Sequence, residues 1–348
     1  MLAGRLYGPE DLRIVEVDIP AIAEDEMLIK VKAASVCGTD VRMYMNGYKG
    51  VSEETPLTLG HEFAGTIEKI GKDVEADYYE GQRVAVAPNF GCGVCDFCVS
   101  GNSHMCPDFQ AFGINIDGAF AEYVRVPANT IRQGNIAVLE DNVSFEAGAL
   151  NEPFSCVNNG FERNDVKPGD KVLIIGAGAI GIMHALLARM AGAGLVVVND
   201  LAAERLELVK SIDSKIATVD GTIDLDEVTM HLTRGVGFDV IVTAAPVPAI
   251  QQKSLHLAAV NGRICFFGGL PKAKEEVPIN TNLIHYKQLI VSGTTRASLR
   301  QYRQTLKYIS SGIVDVDVLV SVRDSIDKLP ELIDNARHAR GLKNVVVF

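Results

Sequence analysis

With 348 residues, 47% of them hydrophobic and 22% charged, the chain has the composition of a globular protein and the length of about two domains. A formal charge of −11 argues against nucleic acid or an anionic membrane as the main partner, since both are held by clustered Lys and Arg. The opening MLAGRLYGPEDLRIVEV has early acidic residues and no apolar run, so it does not read as a signal peptide.

Up to residue 150, short β-type runs (LRIVEV, MLIKVKAASV, FAGTIEKI, QRVAVAP, FAEYVRVP) alternate with turn residues and predict a β-rich module. Within it lie CGTD at 37–40 and GHEFAG at 60–65. Cys37 and His61 are ligand types that zinc prefers, and Glu62 adds a carboxylate. Spacing alone does not join them, and singly each has a structural reading as a core or hydrogen-bonded residue.

The stretch GCGVCDFCVSGNSHMC places four of the seven cysteines, Cys92, Cys95, Cys98 and Cys106, within fifteen residues. In a reducing compartment such a cluster more often binds metal than forms disulfides. Four thiolates complete zinc's tetrahedron and leave no position for a substrate, so the segment reads as a zinc-held loop. An iron–sulfur site is the rival, but those place the fourth cysteine three residues on, and here seven intervene. His104 then reads as a loop residue, and Cys156 and Cys265 as small core residues.

After KPGD at 167–170, strands alternate with helices: KVLII, AIGIMHALLARMA, LVVVND, ERLELVKSI, FDVIVTAA, a helix over 248–259 and GRICFFGG. That order predicts a parallel sheet with helices on both faces. The apolar run 172–198 has the length of a membrane span, but His184, Arg189 and its glycines divide it into strand, turn, helix and strand. Gly176, Gly178, Ile180 and Gly181 belong to a GxGxxG that follows a strand and opens a helix. Gly176 permits the turn, Gly178 the approach of a dinucleotide pyrophosphate, and Gly181 the packing of helix on strand. Asp200 ends the next strand, nineteen residues past Gly181. Its carboxylate suits ribose hydroxyls and repels the extra phosphate of NADP, so NAD is expected, with Arg205 packing on the adenosine. A strand over 287–295, a helix over 299–310 and NVVVF close the chain, the tail returning to the first module. The expected organisation is α/β: a β-rich domain of residues 1–155 and 294–348, with a doubly wound dinucleotide-binding domain, 156–293, inserted.

Together these motifs resemble the zinc-containing medium-chain dehydrogenases over nearly the whole chain. GHE followed by Gly65, Gly71 and Val74 is similar to the family's zinc signature, and CGTD, the four-cysteine lobe and GAGAIG occur in its order. The polyol (sorbitol-type) branch is the most similar. In ALNEPFS, Glu152 replaces the cysteine that alcohol dehydrogenases use as a ligand, and Arg296 matches a substrate-contacting arginine of the polyol enzymes. The resemblance implies a GroES-like catalytic domain, an inserted Rossmann domain, NAD, and about two zincs per chain. It implies a catalytic zinc on Cys37, His61 and Glu62, with Glu152 binding directly or through water, and Thr39 as the hydroxyl that takes the alcohol proton. The substrate implied is a polyol, followed by a sugar-alcohol phosphate, a vicinal diol or threonine. A non-catalytic NAD-binding protein is the alternative of another class. Many relatives carry a proton-relaying histidine where this chain has Arg42, which cannot release a proton at working pH and either meets a substrate anion or lies on the surface. A cytoplasmic dimer or tetramer is expected, pairing through a sheet edge near 289–292.

Overall fold

The strand Met27–Ser35 (MLIKVKAAS) buries every residue except its two lysines and the neighbours of the sheet pack on both sides of it. In the computed structural model, which describes residues 1–348, it is the centre of a seven-stranded sheet. The order is Ile136–Val138, Arg83–Val86, Glu62–Ile70, Met27–Ser35, Lys343–Val347 and Val320–Asp324, with Tyr123–Val126 also pairing with the central strand. Phe63, Phe90, Phe112 and Phe120 fill its core, Phe63 meeting Phe112 edge-on at 5.6 Å between centroids. The chain divides into two units, Met1–Ser155 with Arg296–Phe348, and Cys156–Thr295. The C-terminal strand thus completes the sheet that the N-terminal segment begins.

The unit Cys156–Thr295 is a six-stranded parallel sheet in the order Ala217–Asp220, Leu195–Asp200, Lys171–Ile175, Phe238–Thr243, Ala258–Phe266, Ile290–Gly293. The apolar run resolves into the strand Lys171–Ile175, the helix Ala179–Met190 and the strand Leu195–Asp200, and no helix is long and apolar enough to cross a membrane. Glu152-Pro153 lies inside the helix Phe145–Asn164, where Pro153 supplies no amide to the helical ladder. Cys265 is a core residue, whereas Cys156 is only partly buried.

His184 in the helix Ala179–Met190 is buried, with its ring 4.9 Å from that of Phe267 in a T-shaped pair. Burial pulls its pKa down to about 3. The folded chain therefore holds fewer protons at this site than the unfolded one from pH 6.5, the ordinary value, down to about 3. Stability should fall across that window, by up to about 1.4 kcal/mol per pH unit. Denaturant melts at pH 7 and pH 4.5 should show His184→Phe losing less stability on acidification than the parent; equal losses would refute the assignment.

Candidate metal and nucleotide sites

Cys37 precedes the helix Gly38–Asn46, and its amide donates to Asp40 Oδ2 at 2.8 Å, an end-capping contact that turns Asp40 back toward the strand. Asp40 is fully buried; its Oδ1 accepts from the Gly60 amide at 3.3 Å and lies 3.5 Å from His61 Nδ1. The pairing of Ser35 with Glu62 then carries His61 and Glu62 alongside Cys37. One ligand atom from each of Cys37, His61 and Glu62 falls within 4.8 Å of the others. Glu62 Oε2 accepts from Lys343 Nζ at 2.5 Å, while Oε1 is buried with no hydrogen-bond partner. Burial lowers the pKa of His61, but the charges of Asp40 and Cys37 outweigh it and hold it well above the ordinary value. Lys343 behaves alike: burial pulls it down, and Glu62, Cys37 and Asp40 more than restore it.

These groups fit a zinc ion. Sulfur, nitrogen and oxygen donors converge, a buried carboxylate oxygen lacks a partner, and the donor set is incomplete, as an open site requires. Asp40 and Glu62 are buried carboxylates and the half-buried Cys37 would join them as a thiolate, beside Lys343; a divalent ion that displaces the His61 proton offsets this gathering of negative charge. Glu152 is also buried but lies outside this group of three. The turn that carries it is fixed by Asn151, which donates to the Tyr302 carbonyl at 3.0 Å and accepts from Thr305 Oγ1 at 2.7 Å.

In the other unit the strand Lys171–Ile175 leads into Gly176, whose φ of +115° suits glycine alone. A Cβ on Gly181 would stand 1.8 Å from the Gly176 carbonyl oxygen, so only glycine lets the helix close on the turn. A Cβ on Gly178 would meet nothing within 4 Å beyond its own turn, so this side of the glycine is open to a pyrophosphate. Gly178 heads the helix Ala179–Met190, in which Ile180 is partly buried, with no side-chain cap on its first amides. Asp200 accepts from the Ala177 amide at 2.6 Å and from the Ala202 amide at 2.8 Å, so its carboxylate is pinned beside the glycine turn. Arg205 follows on the helix Ala203–Ile212, partly buried.

Comparison with known proteins matches an alcohol dehydrogenase GroES-like domain to residues 23–135 and a zinc-binding dehydrogenase domain to residues 179–311. Sorbitol dehydrogenase of Bacillus subtilis (strain 168) is 33% identical over 339 residues, covering 97% of this chain and 93% of that protein. The chain belongs to the zinc-containing medium-chain dehydrogenase family, in its polyol branch. Its fold is a GroES-like domain with a Rossmann domain, and its reaction class is zinc-dependent alcohol oxidoreduction with a nicotinamide cofactor. Another relative is the L-threonine 3-dehydrogenase of Bacillus velezensis, 34% identical over 88% of this chain and 86% of its own. Among solved structures, a putative zinc-binding dehydrogenase from Sinorhizobium meliloti bound to NADP has a TM-score of 0.88 at 30% identity, covering 100% of this chain and 99% of that one. Galactitol-1-phosphate dehydrogenase from Escherichia coli has a TM-score of 0.88 at 25% identity, with both chains fully covered.

The remaining expected site residues of the dehydrogenase fall into two places. Thr39 is partly buried, and its Oγ1 accepts from Nη2 of the exposed Arg42 at 2.8 Å. Arg296, with φ +57°, stacks its guanidinium 3.7 Å from the centre of the Phe109 ring and donates from Nη1 to the His104 carbonyl at 2.7 Å. Both partners belong to the cysteine lobe. There the sulfurs of Cys92, Cys95, Cys98 and Cys106 lie within 4.8 Å of one another. A Cβ on Gly91 would stand 2.5 Å from Cys98 Sγ, so glycine is needed for the four to close. Amides of Val94 and Cys95 draw the Cys92 thiol down to about 7, whereas desolvation and the neighbouring sulfurs push Cys98 up to about 12. Two contributors escaped the sequence reading. Asp40 was visible as a capping residue three positions after Cys37; Lys343 carried no signal at all.

Proposed function

We propose that this dehydrogenase interconverts a secondary alcohol of a polyol and its ketone, with NAD as hydride acceptor and a catalytic zinc on Cys37, His61 and Glu62. The convergence of these three side chains within 4.8 Å carries the reading. When bound, zinc supplies Lewis acidity toward the alcohol oxygen, and the nicotinamide supplies the hydride acceptor. The chain's own groups do the rest. Asp40 Oδ1 faces His61 Nδ1 at 3.5 Å, which favours a proton on that nitrogen and leaves the other ring nitrogen for the metal. Glu62 offers Oε1, and Glu152 contributes through water. Thr39 Oγ1 stands two residues from Cys37 and takes the alcohol proton. Arg42 donates to that same oxygen and cannot itself accept a proton, so the proton passes outward to solvent rather than to a side chain. The four-cysteine lobe holds the second zinc and, with its coordination complete, no substrate.

NAD is favoured over NADP by Asp200, whose carboxylate is fixed beside the turn by two amides. Asp200→Ala should shift the NAD/NADP ratio of kcat/KM toward NADP by about tenfold, roughly 1.4 kcal/mol. Rates with both cofactors will fall because the turn loosens; an unchanged ratio means Asp200 does not discriminate. A second substrate reading, a sugar-alcohol phosphate, is favoured by the exposed Arg42 guanidinium beside Thr39 and by similarity to the Escherichia coli enzyme. The assembly we propose is a cytoplasmic homotetramer. Support comes from seven cysteines of which none pairs in a disulfide, and from the unpaired edge strand Ile290–Gly293 with exposed Ile290 and Tyr286 nearby. One sample answers most of this: zinc analysis, a panel of polyols and polyol phosphates with NAD, and the mass in solution. A colourless protein with about two zincs that reduces NAD with a polyol meets the proposal; no turnover on the whole panel leaves the non-catalytic reading in its place.

A further inference from the structure

We propose that Lys343 is a positioning residue of the metal site: its ammonium takes one oxygen of Glu62 and so keeps that carboxylate a single-oxygen, readily exchanged ligand. The inference rests on the reading of Cys37, His61 and Glu62 as the metal-holding set. Lys343 opens the C-terminal strand Lys343–Val347 and is 6% exposed. Its strand and Glu62–Ile70 flank the central strand on opposite sides, with Ser35 paired to both Val345 and Glu62. The lysine therefore reaches past the end of the central strand to meet Glu62. Its Nζ is 2.5 Å from Glu62 Oε2 and 2.8 Å from the carbonyl of Val36, the residue before Cys37.

A buried ammonium is retained only where anions and acceptors repay its desolvation. Here it is fastened at both ends of the metal site, on one ligand and on the backbone next to another. Two consequences follow. While Oε2 accepts from Lys343, the unpartnered Oε1 is the oxygen that Glu62 offers a metal without competition, and binding through both oxygens is disfavoured. The cation also draws charge from that carboxylate and repels a divalent ion, so it weakens Glu62 as a ligand. A lysine that served only to fasten the last strand would affect stability and leave metal exchange alone, or would hasten it by loosening Glu62.

The test is metal release from the zinc-loaded protein into excess chromophoric chelator. The phase belonging to this site is the one absent from Cys37→Ser. In Lys343→Met, release in that phase should be slower by about tenfold or more, the scale on which groups behind a ligand act. Lys343→Arg should stay within about threefold of the parent, because charge and donor are kept. Glu62→Gln/Lys343→Met, which buries no lone charge, should release faster than the parent, because the effect runs through the carboxylate. Lys343→Gln replaces the methionine variant if the latter does not fold, with the same slowing expected. Release as fast as or faster than the parent in the uncharged variants overturns the inference, as does a double variant as slow as the single one. If Cys37→Ser retains every release phase, the site reading itself falls, and the inference with it.

Discussion

Replacement of Cys37 or His61 by Ala is expected to lower turnover by about a thousandfold or more, because several kcal/mol of charge stabilisation at the alcohol oxygen depends on the metal. Zinc content should drop from about two per chain to about one, and dinucleotide binding should persist, since the glycine turn and Asp200 belong to the other unit. The two variants differ in side effects. Cys37→Ala gives up the sulfur's half of the capping box but keeps the backbone amide that donates to Asp40, so the start of the helix Gly38–Asn46 stays partly capped. His61→Ala leaves the fully buried Asp40 facing a hole, and a loss of stability accompanies the loss of activity. Cys37→Ala is thus the cleaner experiment. Measurements of kcat, zinc content and cofactor fluorescence on that one variant decide the matter; full activity without the metal would refute the mechanism.

The candidate dinucleotide site was legible in the sequence because its parts are local. Gly176, Gly178 and Gly181 lie within one turn, and Asp200 ends the next strand, so their chemistry shows in linear order. The metal triad was not legible in this way. Cys37 and His61 are joined by strand pairing, through Ser35 opposite Glu62, and no local spacing rule encodes a sheet register. Only the resemblance linked them. Lys343 was harder still: it is 281 positions from Glu62, in a tail segment that reads simply as a short apolar strand. The helix Phe145–Asn164 was hidden by Pro153 and by Gly148 and Gly160, residues that lower helix propensity and here are retained for packing. Cβ atoms on those glycines would meet Leu139 and Ala64 at 2.8 and 2.9 Å, or Phe267 and His184 at 3.1 and 3.2 Å.

Cys95→Ser should act through the lobe in two ways. Its sulfur lies 3.6 Å from those of Cys98 and Cys106, so its loss opens the tetrad and releases the second zinc. The binding energy of a closed zinc site is folding energy, and a lowering of the melting temperature by about 5 °C or more is expected. The other consequence reaches the substrate. Arg296 is held on the lobe's side by the Phe109 ring and the His104 carbonyl, and both should move when the lobe opens. KM for the polyol should therefore rise while the triad keeps its zinc and kcat changes less. Phe109→Leu separates the two effects: it removes the stacking partner but no cysteine, so KM should rise with zinc content and melting temperature near those of the parent. If Cys95→Ser instead kept its stability and both zincs but lost turnover, the four cysteines would be the reactive centre and Cys37, His61 and Glu62 the structural one.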